Sequence, residues 1–183
     1  MKHIALAALL AAILPSCSQP EQKSQGWEEQ LASQINILGH RNWIVIADMA
    51  YPSQSGQGIT TLYADEPYAE VLGKVKSIID DAPHIFAHIY NDMELGYISE
   101  EDAPGVSQLR SDIQAICGKE SQSVMHEKLI ARLDEAGKLF NVVIIKTPLT
   151  IPYTTTFFEL DCAYWGPEKQ KKLDAAISAA NPE

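Results

Sequence analysis

Short runs of continuous apolar residues alternate along this chain with longer segments whose apolar residues recur at helical spacing. The run at 43–47 contains apolar residues only, which is typical of a strand buried on both faces of a sheet. Strands that alternate with helices of about a dozen residues usually belong to parallel sheets joined by crossover helices. The sequence therefore predicts one α/β domain, with a largely parallel sheet flanked by helices in three layers.

The same patterns place the individual elements. Strands are predicted at 43–47, 59–63, 84–90, 141–146 and 154–160, and helices at 27–38, 67–79, 125–139 and 168–180, with one more helix after the acidic segment 100–102 that ends near 116. Gly39 follows the first helix as a C-cap, and Pro67 opens the second, where its missing amide proton costs nothing. The domain spans 27–165 in this prediction, and 166–183 form a C-terminal helical extension.

The first residues follow the pattern of an export signal. A basic start at 1–3 precedes the apolar run 4–14, which is too short to span a bilayer. The segment 14–17, Leu-Pro-Ser-Cys, resembles the lipobox of bacterial lipoproteins, in which the cysteine is acylated. We therefore predict a signal peptide at 1–16, lipidation of Cys17 and a flexible tether at 17–26.

The predicted signal peptide and lipidation site imply that the protein is located outside the cytoplasm. The acyl chains would anchor it to a bacterial cell membrane, facing the periplasm or the cell surface, without a membrane-spanning helix. A plain secretory signal that happens to contain a cysteine is the alternative.

Charge and cysteine usage exclude several classes of function. The chain has 14 Lys and Arg against 24 Asp and Glu, a formal net charge of −10, which does not suit binding to nucleic acid. Cys17, Cys117 and Cys162 show no paired metal-binding spacing. His84 and His88 lack a third ligand at a recognisable spacing, so no metal site is predicted. A compact acidic domain that handles a small molecule or another protein remains.

Polar residues flank the predicted strands where ligands of α/β proteins usually bind. Asp48 follows the first strand, 91–92 (Asn-Asp) follow the third, and Tyr153 lies in the loop before the last. His40 precedes the first strand. Such a set suits proton transfer on a polar small molecule, although His40 could merely cap a helix, Asp48 could bind loop amides, and Tyr153 could be a half-buried aromatic.

Three motifs occur in a distinctive order along the chain. They are Leu-Gly-His at 38–40 with Ile-Val-Ile-Ala-Asp at 44–48 and Pro52, Asn-Asp-Met at 91–93, and Val-Ile-Ile-Lys-Thr at 143–147 followed by Tyr153. Together they resemble the D-ribose pyranase and L-fucose mutarotase family. The resemblance covers about 30–165. It implies a ribose pyranase-like fold assembled into a ring of subunits, with a monosaccharide bound at subunit boundaries and no cofactor.

The resemblance also implies roles for individual residues. His40 would be the proton shuttle, and Asp48 and Tyr153 would hold sugar hydroxyls. Thr155 stands where the family commonly has an asparagine, and it has one hydroxyl in place of an amide. The family's His or Lys on the preceding helix has no clean counterpart; His126 and Arg132 are the candidates.

Two functions follow as hypotheses. The first is a lipid-anchored mutarotase or pyranase that interconverts sugar ring forms by acid-base catalysis, and the second is a non-catalytic monosaccharide-binding lipoprotein. The strand 43–47 separates His40 from Asp48 by roughly 15 Å when it is extended. We therefore predict that the site is shared between subunits of a homo-oligomer.

Overall fold

A single six-stranded sheet organises the protein. The computed structural model describes residues 26–119 and 121–181. The strands are β1 (Trp43–Ala47), β2 (Ile59–Tyr63), β3 (Ile85–Asp92), β4 (Gln122–Val124), β5 (Val142–Lys146) and β6 (Thr156–Cys162). The helices are α1 (Trp27–Gln34), α2 (Tyr68–Asp80), α3 (Val106–Cys117), α4 (His126–Ala136) and α5 (Pro167–Ala180). The strand order is β2-β5-β1-β6-β3-β4.

Strand direction decides which residues meet at each end of this sheet. β6 runs antiparallel to both neighbours, β1 and β3, whereas every other pairing is parallel. Five strands therefore end at one end of the sheet, which we call the carboxyl end, and begin at the opposite, amino end. β6 begins at the carboxyl end and finishes at the amino end. The predicted α/β fold with a largely parallel sheet is confirmed.

Helices cover both faces of the sheet. One face packs against α1, α2 and α3 through a core that includes Leu31, Leu72 and Phe158. The other face packs against α4, where Leu129 and Leu133 are fully buried beside Phe157. Every residue of β1 is buried, as its continuous apolar sequence predicts for a strand between two helical layers.

Several element boundaries differ from the prediction. The helical geometry of α1 ends at Gln34 and tightens into a 3₁₀ turn over Ile35–Ile37, so Gly39 does not cap it. Gly39 instead donates its backbone N–H to Asn42 Oδ1 at 2.7 Å. The last strand begins two residues later than expected and continues to Cys162. The short strand β4 was not predicted, because three residues carry too little periodicity to be recognised.

The two ends of the chain contribute little to this core. The predicted signal peptide 1–16, Cys17 and most of the tether 17–26 lie outside the described residues. α5, within the predicted extension 166–183, has no buried residue. In the part of the chain that the structure describes, each helix is too short or too polar to traverse a lipid bilayer.

Candidate functional site

A cavity of about 470 Å³ opens at the carboxyl end of the sheet. Its walls come from the loop that follows β1, from the first residue of α4 and from the loop that precedes β6. The polar side chains that line it include Asp48, His126 and Tyr153. The structure therefore brings together, within one chain, three of the residues that the sequence selected.

Asp48 directly follows the buried strand β1 and lines the cavity. Its Oδ1 accepts a hydrogen bond from the Ala50 backbone N–H at 2.7 Å, so the carboxylate does hold its own loop, as the structural alternative predicted. The same side chain also borders the cavity. A partly exposed carboxylate in this position is suited to accept hydrogen bonds from ligand hydroxyl groups.

His126 and Tyr153 pack against each other in the cavity lining. Their rings lie 5.6 Å apart between centroids in an edge-on arrangement. Tyr153 has a φ of 55°, in the left-handed region that a bulky residue rarely adopts, and its side chain is 43% exposed. The backbone thus holds this aromatic ring outward in an unfavourable conformation, which is a common feature of functional positions.

Asp92, the last residue of β3, binds one residue of α4 and one residue of the loop before β6. One carboxylate oxygen lies 3.0 Å from His126 Nδ1, and the other accepts the Thr155 backbone N–H at 3.2 Å. Burial raises the pKa of Asp92 above its ordinary value, the His126 and Thr155 contacts offset this only in part, and Glu94 adds to the increase. Asp92 therefore orients the His126 ring and ties the loop before β6 to the sheet.

Thr155 does not line the cavity. Its side chain is 1% exposed, and its hydroxyl oxygen is buried without a hydrogen-bond partner. The contact with Asp92 uses its backbone rather than its side chain. The side chain at this position, which the family resemblance links to substrate, offers no accessible polar group.

Replacing Asp92 with asparagine is expected to change the pH dependence of stability. Because burial raises the folded-state pKa above the unfolded value of about 4, this group favours folding most at low pH. That contribution is lost as the pH rises through the folded-state pKa. The free energy of unfolding of Asp92→Asn, measured with urea, should therefore improve relative to wild type between about pH 4 and pH 7. Asp112→Asn on α3 is the control, and an equal change there would refute the assignment.

The structure places His40 at the amino end of the sheet. Its Nδ1 lies 2.6 Å from Asp161 Oδ1, and its Nε2 accepts a hydrogen bond from Arg41 Nε at 3.0 Å. His88 on β3 approaches the other oxygen of Asp161 at 3.3 Å. The His40 side chain is 54% exposed. The ring thus binds a strand residue across the sheet rather than capping α1.

Arg132 belongs to this end of the molecule as well. Its guanidinium binds Glu159 at 2.6 Å and lies over the rings of Tyr90 and Trp43, 4.5 and 5.3 Å from their centroids. A second cavity, of about 750 Å³, is lined by both His40 and Arg132. Arg132 therefore does not lie in the cavity that contains His126.

The chain presents two polar clusters at opposite ends of β1. We name them the carboxyl-end cluster (Asp48, Asp92, His126, Tyr153) and the amino-end cluster (His40, His88, Asp161). Sequence reasoning missed Asp161, because the predicted last strand stopped one residue short of it. Among residues 26–119 and 121–181, no group of His, Cys, Asp and Glu is arranged to hold a metal ion.

The fold and the two clusters define an α/β protein with polar groups suited to proton transfer on a small molecule. A family model described as the RbsD / FucU transport protein family matches residues 22–161. The chain therefore belongs to this family, since the match spans well over half of it. None of the curated proteins matches the sequence.

Comparison with solved structures agrees with this fold in one case and finds further, weaker similarities. Bacillus subtilis RbsD complexed with D-ribose is 16% identical with a TM-score of 0.50, covering 76% of this chain and 97% of that one. The fucose mutarotase from Streptococcus pneumoniae, in complex with L-fucose, is 19% identical with a TM-score of 0.48, covering 72% and 91%. FucU from Bifidobacterium longum is 15% identical with a TM-score of 0.45, covering 72% and 92%. At 16% identity, the likeness to RbsD concerns the fold alone.

Proposed function

We propose that this protein interconverts the ring forms or anomers of a monosaccharide by acid-base catalysis without a cofactor. The observation that carries the proposal is the convergence of Asp48, His126 and Tyr153 on one cavity of about 470 Å³, a size in the usual range for small-molecule sites. Family membership supports it, and the related RbsD structure contains D-ribose.

The reaction requires few groups. Opening a cyclic hemiacetal removes a proton from the anomeric hydroxyl and delivers one to the ring oxygen. A histidine performs both transfers near neutral pH. In this proposal Asp48 accepts a hydrogen bond from a sugar hydroxyl, Tyr153 contacts another, and His40 shuttles the proton.

The complete site is formed by two copies of the chain. His40 and Asp48 lie at opposite ends of β1, roughly 15 Å apart along an extended strand of five residues, too far for both to contact one sugar ring. In a ring-like homo-oligomer, the amino-end cluster of one protomer would face the carboxyl-end cluster of its neighbour. The His40 side chain is 54% exposed and Tyr153 is 43% exposed, so a neighbouring copy could reach both.

A non-catalytic monosaccharide-binding protein is the second candidate. The burial of Thr155 favours it, because the side chain at this position offers no polar atom to the cavity. Only interactions that are stronger in the transition state accelerate a reaction, so a site that lacks one of them can still bind its sugar.

Saturation-transfer NMR on anomeric protons separates the two candidates. The protein is titrated into D-ribose, L-fucose and other common monosaccharides, and the rate of exchange between anomers or ring forms is measured. Accelerated exchange of at least one sugar supports the enzyme. Line broadening without acceleration supports the binding protein, and no effect on any monosaccharide rejects both.

We further propose that the mature protein is exported and anchored to a bacterial membrane through acylated Cys17. When the full chain is expressed in a bacterium with a palmitate analogue, wild type is expected to incorporate the label and to fractionate with membranes. Cys17→Ser should lose both properties because it removes the acylated sulfur. Cys162→Ser is the matched control. Wild-type protein that is cleaved, unlabelled and soluble would identify a plain secretory signal instead.

A further inference from the structure

The two neighbours of the His40 ring select the same tautomer. An ionised carboxylate only accepts hydrogen bonds, so Asp161 Oδ1, 2.6 Å from Nδ1, requires a proton on Nδ1. An arginine only donates, so Arg41 Nε, 3.0 Å from Nε2, requires a lone pair on Nε2. Both contacts fit the tautomer that carries its proton on Nδ1 and leaves the lone pair on Nε2.

Asp161 is itself held in place on β6. Its Oδ1 also accepts the Cys162 backbone N–H at 2.7 Å, while its Oδ2 faces His88 Nε2 at 3.3 Å. Although partial burial acts to raise the pKa of Asp161, these hydrogen bonds from Cys162, His40 and His88 bring it below its ordinary value. The carboxylate stays ionised and remains an acceptor towards His40.

We propose that Asp161 is the positioning residue of the proton shuttle. It keeps His40 Nδ1 protonated and fixes the ring plane, so that Nε2 is the nitrogen that exchanges protons with the sugar. Asp161 acts through His40 and does not contact the sugar. The inference rests on the proposed function, because it assigns a role within that reaction.

The hydrogen bond from Arg41 adds a second step to this role. In the free protomer the Arg41 guanidinium occupies the hydrogen-bonding position at His40 Nε2, and the Arg41 backbone has a φ of 73°. Arg41 must release Nε2 before a sugar hydroxyl binds there. While the sugar hydroxyl replaces Arg41 at Nε2, Asp161 still holds Nδ1 and keeps the His40 ring oriented.

The test compares Asp161→Ala with Asp161→Asn. Alanine removes the acceptor, and the rate of sugar exchange at saturation is expected to fall roughly 10- to 100-fold, as is common when the partner of a functional histidine is removed. KM should change little because Asp161 does not contact the sugar.

The asparagine variant should restore most of the rate. The Cys162 backbone N–H donates to whichever atom occupies the Oδ1 position, so the amide oxygen is held there and the amide nitrogen is directed towards His88. The oxygen then still accepts the proton of His40 Nδ1. A simple charge effect would leave Asp161→Asn as impaired as Asp161→Ala.

Imidazole nitrogen chemical shifts provide a readout that does not depend on activity. Wild type and Asp161→Asn should show His40 protonated at Nδ1, whereas Asp161→Ala should move population towards the Nε2–H tautomer. Asp112→Ala on α3 removes one negative charge elsewhere and should alter neither the rate nor the tautomer.

The outcomes distinguish the inference from the function on which it rests. An Asp161→Ala protein with wild-type kcat, or an Asp161→Asn protein as slow as the alanine variant, overturns the positioning role while the proposed function stands. A wild-type protein that accelerates no sugar overturns the proposed function, and with it the catalytic part of the role. The tautomer measurement then still decides whether Asp161 orients His40.

Discussion

Substitution of His40 by glutamine is expected to lower the rate of sugar exchange by about 10²- to 10⁴-fold, the usual contribution of a positioned acid-base group. Glutamine is close to histidine in size, and its amide N–H can still donate to Asp161. It cannot take up and release a proton near neutral pH. The loss should therefore appear in the exchange rate at saturation, measured by NMR, with little loss of folded protein.

His84→Gln is the matched control for this prediction. His84 Nε2 lies 3.0 and 3.2 Å from the carbonyl oxygens of Leu38 and Ile35, and a glutamine amide can replace that donation. The control variant should keep the wild-type rate. If His40→Gln also kept the wild-type rate of sugar exchange, His40 would not be the proton shuttle. The hypothesis that the amino-end cluster is catalytic would then be wrong.

The sheet was predictable because several of its strands are buried on both faces. In β1 and β5, burial by helices on each side leaves almost no room for polar residues, so the strands appear in the sequence as continuous apolar runs. The sequence pattern of a strand does not indicate whether it runs parallel or antiparallel to its neighbours. β6 is antiparallel to its neighbours, and its sequence, which includes Phe157 and Phe158, would suit either direction.

The antiparallel direction of β6 determines at which end of the sheet Tyr153 and Asp161 lie. Ligands usually bind beyond the carboxyl ends of parallel strands, and Asp48 and Asp92 follow this rule. Because β6 runs the other way, Tyr153 joins them from the start of that strand, while Asp161 at its end lies beside His40. Sequence reasoning selected the first group and His40, but it had no basis for placing Asp161 beside His40.

The helix α4 gave a sequence signal that could have separated two candidates. His126 and Arg132 are six residues apart, so they lie about 9 Å apart along the helix axis and on different sides of it. They cannot serve the same small cavity. The structure places His126 against Tyr153 and Arg132 against Glu159, as this geometry requires.

Mixed oligomers are expected to recover activity from two inactive chains if the site is shared. One chain carries His40→Gln and the other carries both Asp48→Asn and Tyr153→Phe. Each chain assembled alone lacks one half of every site, so the exchange rate should be low. In an equimolar mixture, about a quarter of the sites should combine an intact His40 with an intact carboxyl-end cluster, because each neighbour is drawn from two equal populations.

The control chain carries all three substitutions and is mixed with His40→Gln alone. That mixture contains no intact His40, so no combination of neighbours restores a site, although its assembly and net composition closely match the test. Recovery in the test mixture alone can arise only if a proton shuttle from one copy works on a sugar held by another. A test mixture no faster than the mean of its two parents would contradict the shared site, because it would require His40 and Asp48, at opposite ends of β1, to act within one chain.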